Sequence, residues 1–327
     1  MLELYLEEPN KLKLKEAAPL PLAGDDQVKV KVLYGGICGS DLRVYRGTIS
    51  YAAYPLRPGH EVLGVVTEAD EKTGLKVGAK VVVFPNTFCG KCEFCLNGKT
   101  NICPEKKPLG VSTDGVFAQE IIIPAQYAIP VPQDMADERA VLIEPFAVTV
   151  HALKKAKIDP GTSVAIVGCG TEGLLAVALA AKLGGKVTAV DINPAKLEIA
   201  KRLGDVRTLH PEAFAGETFD VVIEAAGVRA AIEQSLQLVK PGGVMIALGI
   251  TGEPATFIPI HVVRNEITIH GTIIYTQADF AEAAKILQDP AFNVEPIISK
   301  FVGLNNYQDA FDDALSGNYA KMVLKFA

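Results

Sequence analysis

In Gln27-Val28-Lys29-Val30-Lys31-Val32 polar and apolar positions alternate, the period of a strand with one buried face. Residues 61–67 and 80–84 are further apolar, β-branched runs bounded by Gly or Pro. Short strands broken by such turns predict a compact β-rich domain, barrel-like rather than layered with helices. Near Glu144 the period changes. Residues 164–167 read as a short buried strand, followed by a glycine-rich turn and a helix over 172–183. Residues 187–190 predict a second strand, 194–203 a second helix, 221–223 another strand and 230–239 another helix. Residues 244–248, after the turn Pro241-Gly242-Gly243, and 267–271 close the series. Strands alternating with helices predict right-handed crossovers and a doubly wound parallel sheet. From residue 276 onward, two amphipathic helical stretches precede a final strand at 322–326.

Length and charge narrow the function classes. A chain of 327 residues holds about two domains. With 49% hydrophobic and 21% charged residues it is neither disordered nor collagen-like. The 32 Lys plus Arg against 38 Asp plus Glu leave a net charge of -6, with no basic run. Nucleic acid is therefore not an expected partner. The acidic start Met1-Leu2-Glu3-Leu4-Tyr5-Leu6-Glu7-Glu8 lacks the apolar core of a secretory signal. The longest apolar stretch, 173–181, is too short for a bilayer. A cytoplasmic protein without membrane partners is expected.

Val167-Gly168-Cys169-Gly170-Thr171-Glu172-Gly173 fits G-x-G-x-x-G. It follows a buried strand, opens a helix, and has Asp191 at the end of the next strand, the context of a dinucleotide site. Gly168 permits the tight turn, Gly170 lets the backbone approach a pyrophosphate, and Gly173 allows close helix–strand packing. The helix N-terminus offers unpaired N–H groups to the phosphates. Thr171, Glu172, Ile192, Ala226 and Gly249 join the expected cofactor contacts, while Cys169 reads as a small filler in the turn. Asp191 favours NAD over NADP, since its carboxylate would repel a 2′-phosphate and Ile192-Asn193-Pro194 supplies no arginine; Lys196 lies close and could soften that discrimination.

Four of the six cysteines, Cys89, Cys92, Cys95 and Cys103, follow C-x2-C-x2-C-x7-C. Four thiolates so spaced can wrap a tetrahedral zinc, closed to substrate and therefore structural. An iron–sulfur cluster is the rival; Pro104 after Cys103 speaks for it, the seven-residue gap and Lys/Gly-rich insert against. Cys38, in Gly35-Gly36-Ile37-Cys38-Gly39-Ser40-Asp41, is either a ligand or a filler, and His60, in Gly59-His60-Glu61, either a ligand or a turn residue. Glu144 is an acidic residue inside the apolar run Leu142-Ile143-Glu144-Pro145. Thiolate, imidazole and carboxylate together suit a catalytic zinc with an exchangeable position.

In this order the motifs, with Glu144-Pro145-Phe146-Ala147-Val148 and His151-Ala152, resemble those of the zinc-dependent medium-chain dehydrogenases over essentially the whole chain, nearest the sorbitol, threonine and butanediol branch. The resemblance implies a GroES-like catalytic domain over residues 1–145 and 276–327, with a structural zinc lobe at 89–103, and a Rossmann domain over 146–275. It implies NAD and two zinc ions, and a hydride passed between a secondary alcohol and NAD to give the ketone. Cys38 and His60 match catalytic zinc ligands. Glu61 and Glu144 match two acidic positions, one or other of which coordinates the metal or its water. Ser40 matches the hydroxyl that takes the alcohol proton. Many relatives continue that relay with a histidine where this chain has Arg43, which cannot deprotonate. His151, His210, His261 and His270 are read as ordinary fold or surface residues. Within the family, a carbonyl reductase, a polyol-phosphate or a threonine-type dehydrogenase are alternatives. A non-catalytic nucleotide-binding protein is less well supported, because every ligand position is filled. Pairing through the strand at 267–271 implies a homodimer or homotetramer.

Overall fold

The computed structural model describes residues 1–21 and 23–326. The chain opens with an antiparallel hairpin, β1 (Leu2–Leu6) and β2 (Leu12–Glu16). The long strand β3 (Gln27–Ile37) follows, then helix α1 (Gly39–Tyr45), β4 (Glu61–Ala69), β5 (Lys80–Val83) and the short α2 (Glu93–Leu96). Strands β6 (Glu120–Pro124) and β7 (Ala128–Pro130) and helices α3 (Asp137–Ala140) and α4 (Ile143–Leu153) lead onward. A second series then runs β8 (Ser163–Val167), α5 (Thr171–Lys182), β9 (Lys186–Val190), α6 (Pro194–Lys201) and β10 (Val206–Leu209). It continues through β11 (Phe219–Glu224), α7 (Arg229–Gln237), β12 (Val239–Ala247), α8 (Pro259–Arg264) and β13 (Thr268–Gly271). The chain ends with α9 (Gln277–Leu287), β14 (Ile298–Gly303), α10 (Tyr307–Leu315) and β15 (Lys321–Lys325).

The second series forms a six-stranded, wholly parallel sheet in the order β10-β9-β8-β11-β12-β13. The order reverses between β8 and β11, and the crevice beyond the carboxyl ends of these strands is where a dinucleotide seats in such sheets. Helix α5 is apolar all round and is buried from Gly173 to Ala180, as a helix sandwiched against a sheet must be. Asn193 caps α6 by accepting from the Ala195 N–H, with Pro194 in the first turn.

The first series, with β14 and β15, forms a seven-stranded sheet in the order β14-β15-β3-β4-β5-β7, with β6 also on β3. Among the described residues this path does not close, so the barrel expected from the strand pattern is an open, branched sheet. One edge of β3 is shared, pairing β6 along Gln27–Lys31 and β15 along Tyr34–Ile37. Register shifts against β4 at Lys29/Val30 and Val32/Tyr34 bend the strand. Sheet and crevice are joined by α4, which is buried along nearly its whole length. One apolar core runs from Leu63, Val82 and Phe84 through Phe146 and Val150 to Val164 and Ile166. The boundary expected at 145/146 falls inside α4.

Several elements go beyond those read from the sequence: β1, β2, β6, β7, β10 and β14; of these β2, Leu12-Lys13-Leu14-Lys15-Glu16, does alternate. Residues 241–243, read as a turn, lie inside β12, where a register shift against β11 admits Pro241 and the positive φ of Gly242. Among the described residues no helix is long and apolar enough to cross a membrane.

Candidate active site and metal centres

Cys38, His60 and Glu61 come together at the junction of β3, α1 and β4, with their ligand atoms within 4.8 Å of one another. Local backbone chemistry sets this up. Cys38 is the N-cap of α1, and Asp41 on the first turn accepts the Cys38 N–H at 2.9 Å. The other oxygen of Asp41 accepts the Gly59 N–H at 3.1 Å and lies 3.3 Å from His60 Nδ1. Asp41 is fully buried and fixes both arms of the site, a role the sequence reading did not assign. His60 Nδ1 is buried without an aligned hydrogen-bond partner, while Nε2 lies 3.3 Å from Ser40 Oγ. Burial opposes a charge on His60, but Asp41 and Cys38 outweigh it and raise its pKa well above 6.5. A thiol, an imidazole and a carboxyl so gathered, with a ring nitrogen short of a partner, fit a single divalent ion.

Lys321 joins this cluster, and two more acidic residues, Glu144 and Glu172, stand in the first turns of α4 and α5. Both oxygens of Glu61 accept from Lys321 Nζ, at 2.7 and 2.6 Å, and both residues are completely buried. Burial works against the Lys321 charge, and Glu61 and Cys38 more than restore it, so its pKa rises. Glu144, in the first turn of α4, accepts from the Tyr275 hydroxyl. Burial pushes the Glu144 carboxyl up to about 7, with His60 opposing and Glu61 adding to the push. Glu172, in the first turn of α5, turns towards Thr149 Oγ1 at 3.4 Å; desolvation pushes it up to about 8, with Lys321 opposing and Glu144 and Glu61 adding. Glu172, expected among the cofactor contacts, is thus held against Thr149 of α4.

Cys89, Cys92, Cys95 and Cys103 converge on one point. Their Sγ atoms stand 3.9 Å apart for Cys89–Cys95 and Cys92–Cys103, and 3.6 Å for Cys89–Cys103. A tetrahedral zinc with Zn–S bonds of about 2.3 Å spaces its thiolates about 3.8 Å apart. The fit is to one ion, and the cage is too tight for a cluster of several irons and sulfides. Backbone N–H groups of Lys91 and Cys92 lower the Cys89 thiol to about 7, and desolvation pushes Cys95 up to about 12.

The expected dinucleotide contacts line the carboxyl ends of the parallel strands. Gly168 takes φ +97° after β8, and a Cβ there would meet the Ala226 backbone at 2.6 Å. Gly170 caps α5, and a Cβ on Gly173 would stand 1.8 Å from Gly168 O. Thr171 Oγ1 donates to Ala320 O at 3.0 Å, tying the loop to the start of β15. Asp191 accepts the Cys169 N–H at 2.6 Å and the Asn193 N–H at 2.8 Å, and Ile192 beside it is 74% exposed. Ala226 and Gly249 flank Glu224, which accepts the Ala226 N–H at 2.9 Å and whose carbonyl accepts the Gly249 N–H at 2.9 Å.

Cys169 is buried and its thiol is pushed up to about 12 by desolvation, which leaves it inert. His151 binds Asp279 in the α4–α9 packing, His210 turns back on the Glu212 N–H, His261 lies by Leu236 O, and His270 is half-buried on β13.

With this geometry in place, comparisons with known proteins bear directly on it. The chain matches the alcohol dehydrogenase GroES-like domain over residues 24–133 and the zinc-binding dehydrogenase model over residues 173–289. Sorbitol dehydrogenase of Bacillus subtilis is 34% identical over 92% of this chain and 90% of its own. A zinc-binding dehydrogenase from Sinorhizobium meliloti, solved with NADP, superimposes with a TM-score of 0.92 at 28% identity, over 99% of this chain and 98% of its own. An alcohol dehydrogenase from E. coli, solved with NADH, gives 0.91 at 28% identity over 99% of both. The chain belongs to the zinc-dependent medium-chain dehydrogenases. It is an oxidoreductase working with zinc and a nicotinamide dinucleotide.

Two outcomes follow from the site itself. Lys321→Met should cost about 3–5 kcal/mol in urea unfolding, because it leaves Glu61 buried without its counter-charge. The double change with Glu61→Gln should recover most of that loss, and a cost below about 1 kcal/mol for the single change would contradict the pairing. Metal analysis should give about two zinc per chain, and Cys92→Ser should lower the thermal midpoint; iron with visible absorbance would sink the assignment of the four-cysteine site.

Proposed function

We propose that the enzyme oxidises a secondary alcohol flanked by further hydroxyls, such as a sugar alcohol or vicinal diol, to the ketone, with NAD as the preferred acceptor. The observation that carries the reading is Glu61 gathered with Cys38 and His60, with a second buried carboxyl, Glu144, in the first turn of α4, in a chain 34% identical to a sorbitol dehydrogenase. Cys38 and His60, with Glu61 or Glu144, are the residues that would hold the catalytic metal, and Cys89, Cys92, Cys95 and Cys103 the structural one. When bound, zinc supplies a Lewis acid and the nicotinamide a hydride acceptor. A carboxylate-rich donor set is harder and more hydrophilic than a thiolate-rich one, and so accepts a second substrate oxygen more readily.

In this reading Ser40 takes the alcohol proton, which its Oγ at 3.3 Å from His60 Nε2 supports. Arg43 is half-buried and Arg46 exposed, neither in an ion pair among the described residues. Neither can relay a proton, so it leaves Ser40 by water or by another group. Their free charges make a polyol phosphate the second reading.

Lobes over residues 1–145 with 276–327, and over 146–275, would enclose the cleft. The exposed apolar side chains Phe257, Ile258, Ile260 and Val263 lie beside the edge strand β13, where Ile269 is also exposed. A patch of that kind next to a free edge supports a homodimer or homotetramer paired through it.

Asp191→Ala should lower the NAD over NADP ratio of kcat/KM by about tenfold or more, and a wild-type enzyme that favours NADP would refute the cofactor preference. The substrate reading is checked by kcat/KM for a polyol, its phosphate and a long-chain primary alcohol. The polyol is expected to lead, and a tenfold lead for the primary alcohol would overturn the assignment.

A further inference from the structure

A chain of buried polar groups joins the four-cysteine lobe to Glu144, and neither site by itself accounts for it. Asn86, three residues before Cys89, is buried, and its Nδ2 donates to the Tyr275 hydroxyl at 3.2 Å. That hydroxyl in turn donates to Glu144 Oε1. The direction is set by the groups themselves: an amide nitrogen only donates and a carboxylate only accepts, so the single Tyr275 proton goes to Glu144. Asn101, between Cys95 and Cys103, is also buried and donates to Ile273 O at 3.0 Å. The same nitrogen lies 3.4 Å from His151 Nε2. His151 stands two turns after Glu144 on α4, and its Nδ1 is 2.8 Å from Asp279, the residue that caps α9 with Thr276.

The lobe and the segment leading into it therefore grip residues 273–275 at both ends. Between the two grips Ile274 takes φ +54°, a conformation that costs a β-branched residue free energy and persists only where its surroundings impose it. Its effect is to turn Tyr275 inward. The Tyr275 ring is fully buried, edge-on to Phe84 at 5.5 Å and tilted on Phe280 at 5.6 Å, so its hydroxyl has one direction to point.

We propose that Tyr275 is the positioning residue for Glu144, and that Asn86, on the segment leading into the four-cysteine lobe, and Asn101, inside the lobe, set Tyr275 in place. This rests on the reading that Glu144 serves the Cys38–His60 metal site. On that footing the lobe does more than stabilise the fold: it holds the metal-site carboxylate through a hydrogen-bonded path.

The test is zinc release from the loaded enzyme to a chromogenic chelator, followed alongside kcat for a polyol. Tyr275→Phe should release one zinc per chain about tenfold faster and lower kcat, while the second zinc leaves at the wild-type rate. Asn86→Ala and Asn101→Ala should act in the same direction more weakly, although neither residue touches Cys38 or His60. Asn86→Ala keeps the Tyr275 ring and its packing, and it carries the test if Tyr275→Phe does not fold. Equal acceleration of both zinc ions would mean general loosening and overturn the proposal. Wild-type release in Tyr275→Phe and Asn86→Ala, with Glu144→Gln fast, would overturn it while leaving Glu144 in the site. Wild-type release and kcat in Glu144→Gln would remove Glu144 from the site, and the proposal with it.

Discussion

The buried pair Lys321–Glu61 is the interaction on which the site depends. Lys321 opens the last strand and Glu61 opens β4, so the pair can form only after the chain's end has returned to its beginning. Strand β15 makes that return by pairing antiparallel with β3, and Lys321 also donates to Ile37 O at 3.3 Å, next to Cys38. Gly36 is part of the same constraint, since a Cβ there would lie 2.1 Å from Glu61 Oε2. A buried ion pair contributes little net stability, because desolvation cancels most of its attraction; what it contributes here is a single allowed arrangement.

Around that pair the charge is unbalanced. Glu61 takes up the one buried ammonium group, and desolvation has already lifted Glu144 and Glu172 towards the neutral form. Such a surplus of carboxyls beside a thiol and an imidazole suits a divalent cation better than any neutral ligand. The positions follow from the topology. Glu144 comes from the helix between the two sheets, Glu172 from the dinucleotide loop, and Cys38, His60 and Glu61 from the β-rich sheet.

Much of this was legible in the sequence, and the parts that were not have a common cause. The parallel sheet showed itself because its strands are short, β-branched and separated by helices of clear period. The four cysteines and the glycine loop showed themselves because a metal and a pyrophosphate demand fixed spacings. Lys321 carries no such mark: it stands at the head of the apolar run Met322-Val323-Leu324, and only its partner 260 residues away explains its burial. Tyr275 likewise follows an edge strand in a short connection, with nothing local to aim it. Asp41 was inside a quoted motif, yet its function comes from accepting N–H groups at Cys38 and Gly59, which spacing alone does not reveal. Strands β1, β6, β7 and β14 are short and lack a strict period, so their pairing partners define them more than their composition, while β2 alternates over only Leu12-Lys13-Leu14-Lys15.

The central claim is that Cys38, His60 and the neighbouring carboxylates form a zinc site required for alcohol oxidation by NAD. The most direct measurement is NADH formation from sorbitol by the purified enzyme, before chelation, after removal of the labile zinc, and after zinc is restored. The account predicts that activity disappears with loss of about one zinc per chain and returns when zinc is added back. Full activity in enzyme that has lost that zinc would contradict it.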